Sequence, residues 1–199
     1  MAVLQFALAQ HDFAVGAVAA NSARAIELAR AAQAAGATLL VFPELALCGY
    51  PPDDLLRRAS FVAACQRGLD ELAEAAHGIA MLMGHPAPAQ AVAHTLDEHA
   101  FQQPLLNALS LLRDGVVEIR YAKHALPNYG VFDEKRYFTP GTDAKVIDVG
   151  GVRIGLLICE DIWLDAPVDA ACAAGAELLI VANASPWDSM RFDPEGIKE

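Results

Sequence analysis

Short apolar runs alternate with longer amphipathic stretches towards both ends of the chain. Between residues 21 and 36, alanine and leucine side chains recur every three or four positions on one face, while charged and amide side chains occupy the other. This period is typical of a surface helix, and we expect Asn21 or Ser22 to cap it and Gly36 to end it. The same criteria predict strands at 3–9, 38–42, 79–84 and 177–182, and further helices at 60–76 and 167–174.

The middle of the chain carries two hairpin signals. Asp114-Gly115 and Gly150-Gly151 each separate two apolar runs, and such pairs favour a tight turn between antiparallel strands. The hairpin strands are predicted at 105–113 with 116–121 and at 145–149 with 152–158, and residues 86–103 are predicted to be irregular. Helix and strand alternate at the ends, with hairpins between them, which predicts a mixed α/β sandwich with helices on its outer faces. A dinucleotide-binding sheet is disfavoured, because no G-x-G-x-x-G motif follows a predicted strand.

Composition and charge narrow the class of protein. The 199 residues are 55% hydrophobic, yet the longest apolar stretches, at 39–42 and 152–159, are far shorter than the roughly 20 residues that cross a bilayer. One globular domain over residues 1–199 is therefore expected. Residues 1–10 lack the features of a secretory signal, so we expect a cytoplasmic protein. The formal net charge of -11 disfavours nucleic acid and anionic membranes as partners and favours a small molecule.

Cysteine usage indicates free thiols and singles out one of them. The chain has four cysteines without C-x-x-C spacing, so neither a disulfide framework nor a metal site is expected: Cys48, Cys65, Cys159 and Cys172. Cys159 follows the apolar run 152–158 and precedes Glu160-Asp161, whose charges are costly to bury without partners. Charge beside an apolar strand end indicates a functional turn, although a packed thiol is the ordinary interpretation of such a cysteine taken alone.

Glu44 and Lys123 also follow predicted strands, where α/β proteins usually place catalytic side chains. Pro43 stiffens the entry to the turn that carries Glu44. Taken singly, Glu44 has the ordinary interpretation of a solvated glutamate, Lys123 that of a surface lysine, and His124 that of a structural or surface histidine. Spacing alone does not join Glu44, Lys123 and Cys159 into one site.

Three segments together resemble the nitrilase superfamily. They are Leu40-Val41-Phe42-Pro43-Glu44, the run from Lys123 to Phe138 (KHALPNYGVFDEKRYF), and Ile158-Cys159-Glu160-Asp161. Their order along the chain, Glu then Lys then Cys, also matches. Within the superfamily, the long middle run and the CEDIW segment look like the amidase domain of glutamine-dependent NAD synthetases. The likeness extends from about Val3 to Trp187 and fades from Asp188 on.

The resemblance implies a fold and a set of roles. It implies a four-layer αββα sandwich with Glu44 as general base, Lys123 as electrostatic stabiliser and Cys159 as nucleophile. Glu134 matches a further family glutamate beside the lysine. Tyr129, Glu160 and Ser185 are expected around a bound glutamine. The implied reaction is hydrolysis of the glutamine side-chain amide to glutamate and ammonia through a cysteine thioester.

The resemblance also implies partners. In the family, ammonia passes to a C-terminal synthetase domain that adenylates nicotinic acid adenine dinucleotide with ATP. No Ser-Gly-Gly-rich pyrophosphatase loop is found here, so that domain is expected to be absent from this chain. We therefore expect no cofactor at the amidase site, with ATP and magnesium confined to the synthetase domain.

Family strands that would follow Glu199 have no counterpart here, so the sandwich is expected to be incomplete on its C-terminal side. Unfinished sheet edges favour association, and a homo-oligomer is expected. Two alternatives stay open. One is a free-standing nitrilase-type amidase that acts on another small amide, such as an omega-amidase or carbamoyl hydrolase. The other is an inactive truncated or accessory subunit.

Overall fold

A computed structural model describes residues 4–89 and 104–185 of the chain. The strands are β1 (Phe6–Leu8), β2 (Leu39–Val41), β3 (Ala80–Pro88), β4 (Leu105–Arg113), β5 (Val116–Ala122), β6 (Val146–Val149), β7 (Val152–Ile158) and β8 (Leu178–Ala182). The helices are α1 (Val18–Ala34), α2 (Ala59–Ala75) and α3 (Asp165–Ala173), and short 3-10 helices lie at Asp53–Arg57, Glu134–Arg136 and Cys159–Trp163. None of the helices within the described residues has the length and apolar character needed to span a membrane.

Two separate sheets form the centre of the described structure. The first has the strand order β1-β2-β3-β4-β5, with parallel pairing up to β3 and antiparallel pairing beyond it. In the second, β7 pairs antiparallel with β6 and parallel with β8. Both predicted hairpins are confirmed. Asp114 and Gly115 have φ values of 50° and 89°, as a tight primed turn requires, and Gly150 and Gly151 have 62° and 81°.

Helices α1 and α2 cover one face of the first sheet. The apolar positions that predicted the helices are the ones that face this sheet, as the period of 3.6 residues requires. Buried helix residues share one core cluster with buried residues of β2 and β3: Ala25, Ala29, Leu69 and Leu72 with Leu40, Met81 and Met83. This cluster forms the first interface between layers.

The other face of the first sheet packs on the second sheet. Residues from both sheets share a second core cluster, among them Leu39, Leu82, Leu109, Ile154, Leu156 and Ile180. Helix α3 then packs on the far side of β7, where the Cβ of Ala171 lies 3.0 Å from the position that a Cβ on Gly155 would take. The order of layers is helix, sheet, sheet, helix, so the expected αββα sandwich is confirmed.

Two predicted boundaries were wrong. Helix α1 begins at Val18, so neither Asn21 nor Ser22 caps it. Asn21 is buried instead, and its amide nitrogen donates to the carbonyl groups of Ala14 and Leu47 at 2.9 and 3.2 Å. The polar residue that looked like a cap therefore holds two loops, a role that depends on contacts distant in sequence.

Strand β3 also extends beyond its predicted end, through Pro88 into the segment expected to be irregular. Pro86 and Pro88 cannot donate to a ladder, which disguised the strand in the sequence. The long antiparallel pairing with β4, which reaches Leu105 opposite Pro88, stabilises it nonetheless. The remainder of the segment predicted to be irregular, 90–103, lies outside the described residues.

Candidate active site

Three strand ends carry the side chains that the sequence singled out. Glu44 follows β2, Lys123 follows β5, and Cys159 follows β7 at the start of a 3-10 helix. The Cys159 thiol interacts electrostatically with both Glu44 and Lys123, and with Glu134 as well. The two sheets are packed face to face, so chain segments far apart in sequence meet at one end of the sandwich. The structure thus brings these four residues together.

Lys123 lies in a buried ion-pair network. Its Nζ is 2.7 Å from Glu44 Oε1 and 2.8 Å from Glu134 Oε1, and it is only 1% exposed. Burial disfavours its charged form, but the two carboxylates outweigh burial and raise the pKa of Lys123 above its ordinary value. The ordinary interpretations of a surface lysine and a solvated glutamate are therefore wrong here, because both side chains are enclosed by the sandwich.

Two carboxylates share this single ammonium. Burial, together with the nearby charge of Glu44, raises the pKa of Glu134 to about 7, against the lowering effect of Lys123 and of a hydrogen bond from Asn107. Glu134 comes from the 3-10 helix at Glu134–Arg136, within the long sequence run that predicted it. Its near-neutral pKa makes the net charge of the cluster sensitive to pH in the physiological range.

Cys159 occupies a strained turn. Its φ of 47° is in the left-handed region that non-glycine residues rarely adopt, and the chain changes there from strand to 3-10 helix. Burial and the charge of Glu44 raise the pKa of its thiol to about 11, although Lys123 and a contact with Ser185 lower it. The thiol is therefore protonated at neutral pH, and it needs an adjacent base to become a nucleophile.

Asp161 connects the turn of Cys159 to the segment that carries Lys123. Its buried carboxylate accepts from the Tyr121 hydroxyl at 2.8 Å and from the Ile158 backbone N–H at 3.1 Å. It also accepts from the backbone N–H groups of His124 and Ala125, at 3.0 and 2.7 Å. The sequence marked Asp161 as costly to bury without partners, but it did not reveal that these partners lie on, or directly after, two different strands, β5 and β7.

Gly84 on β3 allows the turn of Glu44 to approach the sheet. A Cβ at this position would lie 2.3 Å from the Pro43 carbonyl oxygen and 2.6 Å from the Leu45 nitrogen. Contacts that short with backbone atoms do not occur, so the turn packs this closely only against glycine. Sequence reasoning missed Gly84 as a determinant of the site, because the clash involves a segment forty residues earlier in the chain.

Asn107 was also missed by sequence reasoning. It lies on β4, is 1% exposed, and its amide nitrogen donates to Glu44 Oε1 at 2.7 Å. The available signal was a lone amide within the apolar strand LLNALSLL. Amide side chains in such strands need a hydrogen-bond partner, so they mark polar sites inside a core.

A cavity of about 610 Å³ adjoins Glu44. Its lining includes Phe13, Glu44, Tyr50, Phe132 and Ser185. Of the residues expected around a substrate, Ser185 lines this cavity, and its Oγ is 3.9 Å from Cys159 Sγ. Tyr129 and Glu160 do not belong to this lining, but the Tyr129 hydroxyl lies 3.4 Å from Glu160 Oε1. Within residues 4–89 and 104–185, no three His, Cys, Asp or Glu side chains are grouped as metal ligands.

A thiol beside a buried carboxylate and an ammonium, at one end of an αββα sandwich, is an arrangement suited to nucleophilic catalysis by cysteine. The chain belongs to the carbon-nitrogen hydrolase family, whose model matches residues 2–193.

The chain is similar to glutamine-dependent NAD synthetases and to amidases. The chain is 45% identical over 188 residues to a glutamine-dependent NAD(+) synthetase of Xanthomonas campestris pv. campestris. The aligned residues cover 93% of this chain and 32% of that protein. The structure of the glutamine-dependent NAD+ synthetase of Acinetobacter baumannii in complex with ADP superposes with a TM-score of 0.82 at 35% identity, over 93% of this chain and 33% of that one. The chain therefore spans about a third of the length of these relatives.

The second group consists of amidases from the nitrilase superfamily. A variant of the amidase from Nesterenkonia sp. AN1 superposes with a TM-score of 0.76 at 29% identity, over 95% of this chain and 68% of that one. That structure shows the acetamide moiety of fluoroacetamide added covalently at its active-site cysteine.

Proposed function

We propose that this chain hydrolyses the side-chain amide of glutamine to glutamate and ammonia through a thioester on Cys159. We propose further that the ammonia serves NAD synthesis from nicotinic acid adenine dinucleotide on a synthetase domain or subunit. The observation that carries the first proposal is the buried contact of Lys123 with Glu44, next to the Cys159 thiol. The second proposal, that the ammonia serves NAD synthesis, is supported by the likeness to glutamine-dependent NAD synthetases.

In the first half-reaction, Glu44 removes the thiol proton and Cys159 Sγ attacks the carboxamide carbon. The carbonyl electrons move to oxygen, where the Lys123 ammonium and a backbone N–H after Cys159 stabilise the negative charge. When the tetrahedral intermediate collapses, the carbonyl re-forms and the C–N bond breaks. Glu44 returns its proton to the nitrogen, which leaves as ammonia and leaves a thioester behind.

In the second half-reaction, Glu44 takes a proton from water and the resulting hydroxide attacks the thioester carbon. Collapse of this second intermediate breaks the C–S bond and releases glutamate, and the sulfur recovers the proton from Glu44. Glu134 shares Lys123 with Glu44, and we assign it the role of holding the ammonium in place. Tyr129, Glu160 and Ser185 are proposed to contact glutamine, and the position of Ser185 in the cavity lining supports its part.

The proposal makes the reaction independent of cofactors. Attack, oxyanion stabilisation and proton transfer are all assigned to side chains of this chain, so EDTA is expected to leave ammonia release unchanged. We further propose a cytoplasmic protein that assembles into a homo-oligomer and has neither nucleic acid nor membrane as a partner. ATP and magnesium belong to the synthetase step alone.

A second candidate function is hydrolysis of another small amide by a free-standing enzyme. It is favoured by the likeness to the Nesterenkonia amidase, of which this chain covers 68%. Comparison of ammonia release from glutamine with release from acetamide, propionamide and a carbamoyl compound distinguishes the two. An inactive accessory subunit would release ammonia from none of them.

The test is release of ammonia from glutamine by the purified chain and its variants. Cys159→Ala is expected to abolish it, and Lys123→Met to reduce turnover by about 10²- to 10³-fold, because one oxyanion donor is lost. Cys172→Ala is the matched control, since this thiol is exposed on α3, away from the site. Wild-type hydrolysis of glutamine by a folded Cys159→Ala protein would refute the mechanism.

A further inference from the structure

Asn107 contacts all three residues of the buried ion-pair network, Glu44, Lys123 and Glu134. Its amide nitrogen donates to Glu44 Oε1 at 2.7 Å and approaches Glu134 Oε2 at 3.4 Å. Its backbone carbonyl accepts the Lys123 backbone N–H at 2.9 Å. A rotation of the amide by 180° would turn its carbonyl oxygen towards two carboxylates, so these contacts determine the orientation of the side chain.

The two oxygens of Glu44 have different surroundings. Oε1 accepts from both Asn107 Nδ2 and Lys123 Nζ, each at 2.7 Å. Oε2 is buried and has no hydrogen-bond partner among the described residues. An unpartnered buried carboxylate oxygen is costly, and such atoms in a folded protein call for an explanation, of which a catalytic role is one. Oε2 is therefore the oxygen that is available to receive a proton.

We propose that Asn107 is a positioning residue that holds Glu44 through Oε1 and thereby presents Oε2 to the Cys159 thiol. This inference rests on the proposed function, in which Glu44 is the base. Asn107 supplies a donor without adding a charge, so it stabilises the ionised carboxylate while the lysine charge stays shared with Glu134. The amide nitrogen of Asn107 is directed to the carboxylates of Glu44 and Glu134, so it acts on the base.

Fluoroacetamide tests the proposal without requiring glutamine turnover. Glu44 takes the thiol proton, the sulfur displaces fluoride from the methylene carbon, and an acetamide moiety stays on Sγ. The same addition occurs in a Nesterenkonia amidase variant in which a glutamate is replaced by glutamine. The rate of this mass increase at Cys159 is therefore followed on the intact protein across a pH series in the wild type and in Glu44→Gln, and the difference between the two measures the proton removal that depends on Glu44. Steady-state hydrolysis of glutamine provides kcat and KM in parallel.

Asn107→Leu removes the donor and keeps the size of the side chain. Loss of a hydrogen bond to a charged group is expected to slow alkylation about 10- to 100-fold at neutral pH. Because the ionised form of the base loses a donor, the acid limb of the pH profile is expected to move to higher pH. The kcat for glutamine is expected to fall with little change in KM. The titratable groups that face Glu44 are all retained in this variant: Lys123, Glu134, Cys159 and Tyr50.

Ser110→Ala is the matched control on the same strand. Its hydroxyl forms a buried 2.8 Å hydrogen bond with His85 and not with the site. This variant is expected to lose stability and to keep the alkylation rate and pH profile of the wild type. A folded Asn107→Leu protein that matches the wild type in rate and pH profile would overturn the proposal. Equal slowing in both variants, with no change in the acid limb, would also overturn it.

A second substitution covers the case in which Asn107→Leu does not fold. Asn107→Ala removes the donor without adding bulk or charge, so alkylation at neutral pH is expected to be slowed as in Asn107→Leu, and a wild-type rate would contradict the proposal. The glutamine assignment can fail separately. If the wild type is alkylated at Cys159 but releases no ammonia from glutamine, glutamine is not the substrate. The dependence of alkylation on Asn107 still tests whether Asn107 positions Glu44.

Discussion

Substitution of Asp161 offers a direct measure of how the two halves of the site are joined. Its Oδ2 accepts from the Tyr121 hydroxyl and the Ile158 N–H, and its Oδ1 accepts from the N–H groups of His124 and Ala125. Asp161→Asn replaces one oxygen with an amide group of the same size. The position that the new NH2 takes determines how many donors lose their acceptor.

The geometry favours one of the two placements. If the NH2 takes the place of Oδ1, it faces two backbone N–H groups. If it takes the place of Oδ2, the Tyr121 hydroxyl can rotate and accept from it, and only the Ile158 N–H is left without a partner. One unpartnered buried donor, with the remaining bonds changed from charged to neutral, costs about 2–3 kcal/mol. Asp161→Ala leaves all four donors unpartnered and is expected to cost about 4–5 kcal/mol, the range of the most severe single substitutions.

Urea unfolding followed by circular dichroism measures the free energy of unfolding of each variant. In thermal unfolding, the midpoint of the asparagine variant is expected to lie about 5–10 °C below that of the wild type, as a loss of this size implies for a domain of this length. Asp169→Asn, an exposed carboxylate on α3, is the control and is expected to stay within about 0.5 kcal/mol of the wild type. An Asp161→Asn protein as stable as this control would show that the four contacts do not hold the site together.

Two further substitutions test the turn and the charge of the site. Gly84→Ala places a Cβ 2.3 Å from the Pro43 carbonyl oxygen, so we expect the free energy of unfolding to fall by about 1–3 kcal/mol and Glu44 to be displaced. The displacement is measured as slower alkylation of Cys159 by fluoroacetamide, and alkylation at the wild-type rate would contradict the prediction. Glu134 has a pKa raised to about 7, so the native state binds its proton more tightly than the unfolded chain, and this group lowers stability as pH rises from about 4.5 to 7. Glu134→Gln removes that effect, and its free energy of unfolding relative to the wild type is expected to increase over the same interval. Parallel pH dependence of the two proteins would be the contrary result.

Several elements of the fold could be predicted because they depend on near neighbours in the chain. The turns at Asp114-Gly115 and Gly150-Gly151 need residues that accept positive φ, and the flanking apolar runs need a sheet to bury them. Helix α1 could be predicted from the recurrence of apolar residues every three or four positions, although its first turn could not. Val18 begins that helix without a side-chain cap, so no local signal marked the boundary.

The chemistry of the site could be named from the sequence only through resemblance. Glu44, Lys123 and Cys159 each follow a strand, but burial decides whether a lysine is a solvated charge or the centre of an ion-pair network. That burial arises when β2 and β5 of one sheet lie beside β7 of the other, an arrangement no single segment encodes. The pKa of Glu134 depends on the same enclosure and on the charge of Glu44.

The sequence by itself determined which segments become strands and turns, and which reactive side chains stand at strand ends, because these follow from residue type and local spacing. Only the tertiary structure decided the environment of those side chains. Glu44 and Lys123 are 79 residues apart in the chain, yet their charged atoms are 2.7 Å apart. The roles of Asn107 and Gly84 arise in the same way. Hydrogen bonds and steric contacts act over a few ångströms, so a residue distant in sequence acquires its function only when the fold has closed that distance.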